Sequence, residues 1–190
     1  MITSKNYAMV RIHPSSEVKS ETIGDESVIW QYCVVLPGAR IGKNCNINCH
    51  VLIENDVIIG DNVTIKPGVQ LWDGMRIGDN VFIGPNVTFI NDNTPRSKYH
   101  DFEIRASHIM SGASIGANAT ILGGLTVGEY AMVGAGSVLT HDAPSFSLWK
   151  GNPARQCGFV TRDAMVLNMR LMDKNGAAYQ LVDGEPVLQG

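Results

Sequence analysis

The repeat that decides the fold is clearest between residues 58 and 83, which read IIGDNVTIKPGVQLWDGMRIGDNVFI. An aliphatic residue returns at every sixth position, with glycine, aspartate or asparagine between successive ones. The same step continues without a miss over a longer stretch, at Ile23, Ile29, Val35, Ile41, Ile47, Ile53, Ile59, Ile65, Leu71, Ile77, Ile83 and Phe89. A period of six excludes an α-helix, whose period is 3.6 residues.

A short strand followed by a corner accounts for this six-residue unit. Side chains alternate along a strand, and a small or branched residue stands two places before many of the aliphatic positions. Gly, Asn and Asp turn the chain between strands. We therefore predict an all-β fold in which three strands and three corners make one coil, with parallel strands about 4.8 Å apart in the stack.

One polar segment, residues 90–108, interrupts the step. The six-residue step then resumes, offset by two residues from the first register, at Ile109, Ile115, Ile121, Val127, Val133 and Leu139. Because the offset is not a multiple of six, the segment adds chain rather than replacing strands. We expect it to leave the coil as a loop.

The chain is long enough for one domain with a continuous core. We predict a β-helix over residues 12–139, with an irregular first coil near Ile12 and Val18. Residues 140–190 form an exit segment and a C-terminal cap on the open end of the helix. Within this cap, residues 162–172 are expected to form a short helix, and Asp183-Gly184 the turn of a small hairpin.

Composition narrows the function classes. The formal net charge is -3, so no basic face suggests nucleic acid or an anionic membrane. No apolar run reaches the roughly 20 residues of a membrane span, and the N-terminus shows no signal-peptide pattern, so a cytoplasmic protein is expected. Cys33 and Cys45 fall in the inward small-residue position and are interpreted as core residues.

Residues eighteen apart should stack on adjacent coils. This arithmetic stacks Asn55 with Asp73 and Asn91, and Tyr32 with His50. It predicts one outer surface that holds Trp30, Gln31, Tyr32, Asn48, His50, Glu54, Lys66, Trp72, Asp73 and Asn91. Aromatic faces beside a lysine suit a nucleotide, because the base can stack while the diphosphate pairs with the cation.

The segments IIGDNVTI, RIGDNVFI, SIGANATI and TVGEYAMV resemble the hexapeptide-repeat acyltransferases. That resemblance implies a left-handed parallel β-helix, against the right-handed default for parallel crossovers. The motifs LWDG and NDNTPRSK make residues 12–160 similar to acetyltransferases of nucleotide-linked 3-amino sugars, above all the branch that acts on dTDP-3-amino-3,6-dideoxyhexoses. Such enzymes supply sugar nucleotides for surface polysaccharide.

The resemblance implies a homotrimer in which acetyl-CoA and the sugar nucleotide share a groove between subunits. By this likeness Asn91 lies against the sugar amine and Asp92 lies beside it, while the insertion walls the cleft. Arg96 and Lys98 either hold phosphate or are solvated.

The reaction needs an unprotonated amine, an oriented thioester and donors aimed at the oxyanion. His50 is the candidate base on the aromatic surface. The thiolate of CoA is the alternative proton acceptor, since a thiol pKa is about 8.5. His100, His108 and His141 are interpreted as structural.

For the acetyl-CoA groove, small residues would leave room for the pantetheine arm, and cations in the exit segment WKGNPARQ would pair with phosphates. The segment GNPA also resembles the exit sequence of the acyltransferase family. The predicted set comprises Gly112, Ala113, Gly123, Gly124, Ala131, Lys150, Pro153 and Arg155.

The sequence argues against two alternative functions and leaves a third open. A zinc-dependent carbonic anhydrase of the same fold needs three convergent histidines, and the histidine spacing does not offer them, so no metal is predicted. A purely structural or ice-binding β-helix would show flat rows of threonine and no cationic exit segment, and this sequence meets neither condition. An acyltransferase for a UDP-linked 3-amino sugar of the glucuronic acid type is the remaining rival, and it calls for an added cation near Asn91.

Overall fold

A computed structural model of the chain describes residues 9–98 and 103–189. Within these residues the secondary structure consists of short strands, and no helix is present. The strands are β1 Arg11–Ile12, β2 Glu17–Val18, β3 Thr22–Ile23, β4 Val28–Ile29, β5 Val34–Val35, β6 Arg40–Ile41, β7 Asn46–Ile47, β8 Leu52–Ile53, β9 Ile58–Ile59, β10 Thr64–Ile65, β11 Gln70–Leu71, β12 Arg76–Ile77, β13 Phe82–Ile83, β14 Thr88–Phe89, β15 His108–Ile109, β16 Ser114–Ile115, β17 Thr120–Ile121, β18 Thr126–Val127, β19 Met132–Val133, β20 Val138–Leu139, β21 Ser147–Gly151, β22 Ala154–Val160, β23 Val166–Leu167, β24 Tyr179–Val182 and β25 Glu185–Leu188.

The strands form three parallel sheets that the chain visits in turn. Sheet 1 contains β1, β4, β7, β10, β13, β16, β19 and β21; sheet 2 contains β2, β5, β8, β11, β14, β17 and β20; sheet 3 contains β3, β6, β9, β12, β15 and β18. Ile29 pairs with Ile47, and Ile65 with Ile83, so the eighteen-residue coil is confirmed. In the first coil Ile12 pairs with Ile29, one residue short of that spacing, as expected for an irregular start.

The core is the inside of this three-sided coil. The aliphatic position of each unit points inward, and Ile47, Ile65 and Ile83 are completely buried. Cys33 and Cys45 are also buried, as predicted, and burial raises the pKa of both thiols. The interior therefore holds apolar and small side chains, and chemistry is confined to the outside.

Three corners connect the sheets. In the coil that contains β10, corner 1–2 is residues 66–69, corner 2–3 is residues 72–75 and corner 3–1 is residues 78–81. One residue of most corners has a positive φ, for example 78° at Gly68 and 90° at Gly74. At corner 3–1 the asparagines form a ladder, in which Asn44 Nδ2 donates to Asn62 Oδ1 over 2.9 Å.

The insertion leaves the coil at corner 2–3, between β14 and β15. The coils on either side remain in register, because β12 pairs with β15 and β14 pairs with β17. The predicted location of the loop, and the return of the repeat at Ile109, are therefore confirmed. Residues 99–102, which include His100, lie outside the described part of the chain.

The C-terminal segment partly matches expectation. β21 continues sheet 1, and β22 and β23 extend it by antiparallel pairing. The predicted hairpin is confirmed, since β24 and β25 pair around Asp183 and Gly184, which have φ of 51° and 85°.

The helix predicted for residues 162–172 is wrong. This stretch contains β23 flanked by turns, and Asn168 Oδ1 accepts hydrogen bonds from the backbone amides of Arg170 and Met172. Such a side-chain-to-backbone bond competes with helical hydrogen bonding.

Within the described residues, no helix is long and apolar enough to cross a membrane.

Candidate active site

The predicted surface is divided between two corners. Trp30, Gln31, Tyr32, Asn48, His50 and Lys66 lie on corner 1–2, and Glu54, Trp72, Asp73, Asn91, Asp92 and Arg96 lie on corner 2–3 or on the insertion that leaves it. The two corners stand at opposite ends of the strands of sheet 2. Six residues at about 3.3 Å each separate them, which is on the order of 20 Å. The prediction of a single surface within one chain is therefore wrong.

At corner 2–3, carboxylates accept hydrogen bonds from backbone amides of neighbouring coils. Glu54 Oε2 accepts a hydrogen bond from the Asp73 amide over 2.8 Å, and Asp73 Oδ1 accepts one from the Asp56 amide over 2.7 Å. These bonds lock adjacent turns together. The other carboxylate oxygens, Glu54 Oε1 and Asp73 Oδ2, make no hydrogen bond among the described residues.

Trp72 lies partly buried at this corner. Its indole Nε1 donates to the Phe89 carbonyl oxygen over 2.8 Å, and its ring packs against the core. One coil below, the backbone amide of Glu54 donates to Leu71 in the regular ladder. In the same ladder the Trp72 backbone amide would donate to the Phe89 carbonyl oxygen. The indole occupies that oxygen instead, and the Trp72 amide makes no hydrogen bond among the described residues.

Asn91 lies where the insertion leaves the coil. Its carbonyl oxygen accepts a hydrogen bond from the amide of Arg105, on the segment by which the insertion returns to the coil, over 3.1 Å. Its side chain is half-buried and makes no hydrogen bond within residues 9–98 and 103–189. Asp92 Oδ1 accepts from the Thr94 amide over 2.9 Å. Among the described residues Asn91 therefore offers an unpaired side-chain amide from a fixed backbone.

Arg96 and Lys98, two of the three cations of the insertion, are exposed. Arg96 Nη1 donates to the Pro95 carbonyl oxygen over 2.9 Å, and Lys98 forms no ion pair among the described residues. Their position fits either of the two roles predicted for them, phosphate binding or solvation.

Sequence reasoning missed Asn93 and its contact with the next coil. Asn93 Nδ2 donates to the Gly123 carbonyl oxygen over 3.1 Å, and the Gly123 amide donates to Asn93 Oδ1 over 3.0 Å. The partner lies thirty residues away across an insertion without a repeat, so no spacing in the sequence indicates the contact.

On corner 1–2 the rings of Tyr32 and His50 stack, with centroids 5.2 Å apart and planes inclined by 20°. Both residues have a positive φ, 58° and 59°, a conformation uncommon for bulky side chains. Trp30 is 44% exposed and donates from Nε1 to Asn46 Oδ1. This stack of exposed rings is a suitable surface for a planar ligand.

The remaining predicted residues of corner 1–2 differ in their contacts. Asn48 Nδ2 donates to the Ile65 carbonyl oxygen over 2.9 Å, which is a structural bond. Lys66 forms no ion pair within the described residues. His50 is exposed on this corner, so one chain does not bring it to Asn91.

Two residues predicted to line the acetyl-CoA groove are in the core. Ala113 and Ala131 are completely buried, because their position in the repeat is the inward one, so that prediction is wrong for both. Gly112 lies on corner 3–1, where the ring of Tyr130 covers it. Gly123 lies on corner 2–3, against Asn93.

The cationic part of the same prediction fits the structure better. Lys150 and Arg155 are direct partners across β21 and β22, and both are exposed, as is Pro153 in the turn between them. A Cβ on Gly134 would come within 2.8 Å of Lys150 Cγ, so the lysine stem crosses the end of corner 1–2.

Below Lys150, corner 1–2 presents small residues that the sequence analysis did not select, namely Gly116, Ala117, Gly134, Ala135 and Gly136. Nothing lies within 4 Å of a Cβ placed on Gly136. The eighteen-residue spacing from Gly116 to Gly134 would have revealed this stripe. Corner 1–2 thus carries aromatic rings near its N-terminal end and small residues with a cation near its C-terminal end.

No group of three or more potential metal ligands occurs within residues 9–98 and 103–189. The candidate chemistry is that of amides, carboxylates and cations on two corners of a β-helix.

Comparison with known proteins assigns the class. The model of the bacterial transferase hexapeptide family (six repeats) matches residues 22–55, 56–91 and 106–141. The chain belongs to this family, and its fold is the left-handed parallel β-helix of hexapeptide repeats. The fold class predicted from the sequence is therefore confirmed.

One relative is similar over nearly the whole chain. It is the dTDP-3-amino-3,6-dideoxy-alpha-D-galactopyranose 3-N-acetyltransferase of Aneurinibacillus thermoaerophilus, 48% identical over 176 residues, or 91% of this chain and 92% of the relative. The resemblance to 3-amino sugar acetyltransferases and the predicted enzyme class are thus confirmed.

Two solved structures show the same architecture. A hexapeptide-repeat acetyltransferase from Vibrio cholerae is 28% identical, with a TM-score of 0.53 over 73% of each chain. LpxA, a UDP-N-acetylglucosamine acyltransferase from Bacteroides fragilis, is 20% identical, with a TM-score of 0.66 over 80% of this chain and 61% of its own. The second likeness concerns the fold alone.

Proposed function

We propose that this chain transfers the acetyl group of acetyl-CoA to the 3-amino group of a dTDP-linked 3-amino-3,6-dideoxyhexose. The observation that carries the proposal is the 48% identity to an enzyme of that name over 91% of the chain. The galacto sugar of that relative is the first substrate to test. Use of acetyl-CoA would place the reaction in the cytoplasm, and the product would be a donor for surface polysaccharide.

The proposed chemistry is direct acyl transfer. The unprotonated amine attacks the thioester carbonyl carbon, an N–C bond forms, the C–S bond breaks and CoA leaves as a thiolate. The amine proton passes to that thiolate, since His50 lies at the end of corner 1–2 that is assigned to the nucleotide base. The Asn91 side-chain amide would orient the amine, and the backbone amide of Trp72, which has no partner among the described residues, is a candidate donor to the oxyanion.

The division of the site between two corners supports a trimer. Within one chain, a thioester on corner 1–2 would lie on the order of 20 Å from Asn91. A second copy that packs corner 1–2 against corner 2–3 of its neighbour removes that gap. In a cyclic trimer every chain would give one corner to each of two sites.

The contents of corner 1–2 support a place for both nucleotides. The pantetheine arm would follow the small residues at 116–117 and 134–136 toward Lys150 and Arg155, which pair with its phosphates. The base of the sugar nucleotide would stack near Tyr32 and His50. The two ligands would then meet between these ends, opposite the neighbour's insertion.

A thiol-release assay tests the function. With acetyl-CoA, we expect thiol to appear in the presence of dTDP-linked 3-amino-3,6-dideoxygalactose, and mass spectrometry to show one added acetyl group. The gluco epimer and a UDP-linked 3-amino glucuronic acid sugar form the comparison arms. A preference for the UDP sugar would favour the rival substrate, and no release with any amino sugar would reject the enzyme proposal.

Removal of the cationic pair should weaken acetyl-CoA binding specifically. For the double variant Lys150→Ala/Arg155→Ala, we expect the KM for acetyl-CoA to rise about tenfold, the effect of about 1.4 kcal/mol from lost charge-assisted bonds. The kcat should stay within about twofold, because these groups bind ground and transition states alike. Lys43→Ala, a change of an exposed lysine on corner 3–1, is the matched control. An unchanged KM in the double variant would exclude this phosphate site.

A further inference from the structure

The insertion leaves the coil at residues 90–93 and returns at residue 105, and these residues, here called the neck, are held by a pair of hydrogen bonds from Asn93. Asn93 Nδ2 donates to the Gly123 carbonyl oxygen over 3.1 Å, and Asn93 Oδ1 accepts from the Gly123 amide over 3.0 Å. One side chain thus pairs with both backbone groups of a residue in the coil above, as a neighbouring strand would. The point so fixed is two residues beyond Asn91.

Gly123 permits this close approach. A Cβ at this position would lie 2.7 Å from the Ile90 carbonyl oxygen and 3.2 Å from Asn93 Oδ1, distances that any other residue would have to relieve by moving the neck. The glycine is required here by proximity of the backbone, one of the common reasons for glycine in folded proteins.

Two further bonds fix the same segment from other sides. The Arg105 amide donates to the Asn91 carbonyl oxygen over 3.1 Å and joins the outgoing and returning segments of the insertion. The Trp72 indole donates to the Phe89 carbonyl oxygen from the coil below. Asn91 therefore lies between anchors on three sides, while its own side chain stays unpaired within the described residues.

We infer that Asn93 is a positioning residue: paired with Gly123, it fixes the backbone of the insertion so that the Asn91 amide is held at the acyl-transfer site. The inference rests on the proposed function, in which Asn91 contacts the sugar amine. Both polar atoms of the Asn93 side chain are engaged with Gly123, so the inferred role of Asn93 is to hold the backbone, and it is assigned no contact with substrate. Its effect would be large, because a misplacement of about 1 Å can cost about 100-fold in rate.

Steady-state kinetics separate positioning from a general structural role. For Asn93→Ala, we expect kcat to fall about tenfold to 100-fold, with the KM for acetyl-CoA within about twofold of wild type. Thr94→Ala is the matched control, since Thr94 is the next residue, is exposed and makes no side-chain hydrogen bond among the described residues. Gly123→Ala should reproduce the Asn93→Ala pattern from the opposite side of the contact.

A double variant tests whether Asn93 acts through Asn91. If it does, Asn91→Ala/Asn93→Ala should be no slower than Asn91→Ala alone, because a misplaced amide and a missing amide lose the same interaction. Independent losses that multiply in the double variant would overturn the inference.

Limited proteolysis provides a readout that does not need activity. Arg96 and Lys98 are exposed trypsin sites three and five residues after Asn93. Loss of two hydrogen bonds at the neck should raise the cleavage rate in the insertion about tenfold in Asn93→Ala, and not in Thr94→Ala or Asn91→Ala. Unchanged cleavage in Asn93→Ala would reject the inferred role of the Asn93–Gly123 pair, even if the enzyme is active. A wild type inactive on every amino sugar would reject the proposed function, while the proteolysis result would still stand.

Discussion

Replacement of Asn91 by alanine is expected to lower kcat by about 10²–10³, the usual effect of removing one preorganised polar group at an acyl-transfer centre. The side chain is half-buried, makes no hydrogen bond among the described residues, and extends from a backbone held by Arg105. Its loss should therefore affect the reacting amine rather than the fold. Initial rates from thiol release give kcat, and calorimetry with CoA gives the affinity, which should change less than about twofold.

Ser97→Ala is the matched control for this variant. Ser97 belongs to the same insertion, is exposed and forms no side-chain hydrogen bond within the described residues. It should keep wild-type activity, and both variants should keep the thermal midpoint of the wild type. Full activity of Asn91→Ala would remove Asn91 from the site, whatever the enzyme acetylates.

The repeat could be predicted from the sequence because one physical constraint acts at every coil. Each apolar residue at the six-residue step from Ile23 to Phe89 faces a narrow interior that excludes polar side chains, so the period appears in the chain itself. The insertion was located by the same reasoning, since it breaks the period. Its internal contacts, such as Asn93 with Gly123, follow no period and required coordinates.

The division of the site between corners was missed because three corners share one six-residue pattern. Trp30 and Trp72 occupy equivalent positions in the repeat but differ by forty-two residues, which is two coils and one further side. Eighteen-residue columns assign them to different corners, and the prediction combined such columns into one surface. The stacking of Asn91 above Asp73 came from that longer count, and β11 pairs with β14 at the same spacing, Gln70 with Thr88.

The errors over Ala113, Ala131 and residues 162–172 have different causes. Both alanines occupy the inward small-residue position, so the repeat itself predicts burial, and their selection for a surface groove contradicted it. In the C-terminal segment the apolar residues are spaced as on a helix, but Asn168 binds the backbone locally and Leu167 is buried against β22. Tertiary packing there outweighs a weak local preference.

A mixed trimer should recover activity from two inactive chains, the second large effect we expect. Asn91→Ala disables corner 2–3 and leaves corner 1–2 intact. Ala135→Trp places a bulky ring on an exposed residue of the small stripe, so it should block the acetyl-CoA groove of corner 1–2 and leave Asn91 intact. Each variant alone should have at most about 1% of wild-type activity.

Co-expression with two different tags, followed by purification on both, isolates trimers that contain both kinds of chain. Size-exclusion chromatography must first show that each variant alone elutes with the wild type. In a cyclic trimer, either composition of the mixture contains one site in which an intact corner 1–2 meets an intact corner 2–3. The expected activity is therefore about one third of wild type per trimer.

This mixing measurement tests most directly the central claim that acetyl-CoA on one chain meets the sugar amine beside Asn91 of the next. Recovery to about one third of wild-type activity is the predicted result. Doubly purified trimers that stay as inactive as the separate variants would contradict it, and would mean that the two corners do not combine between chains.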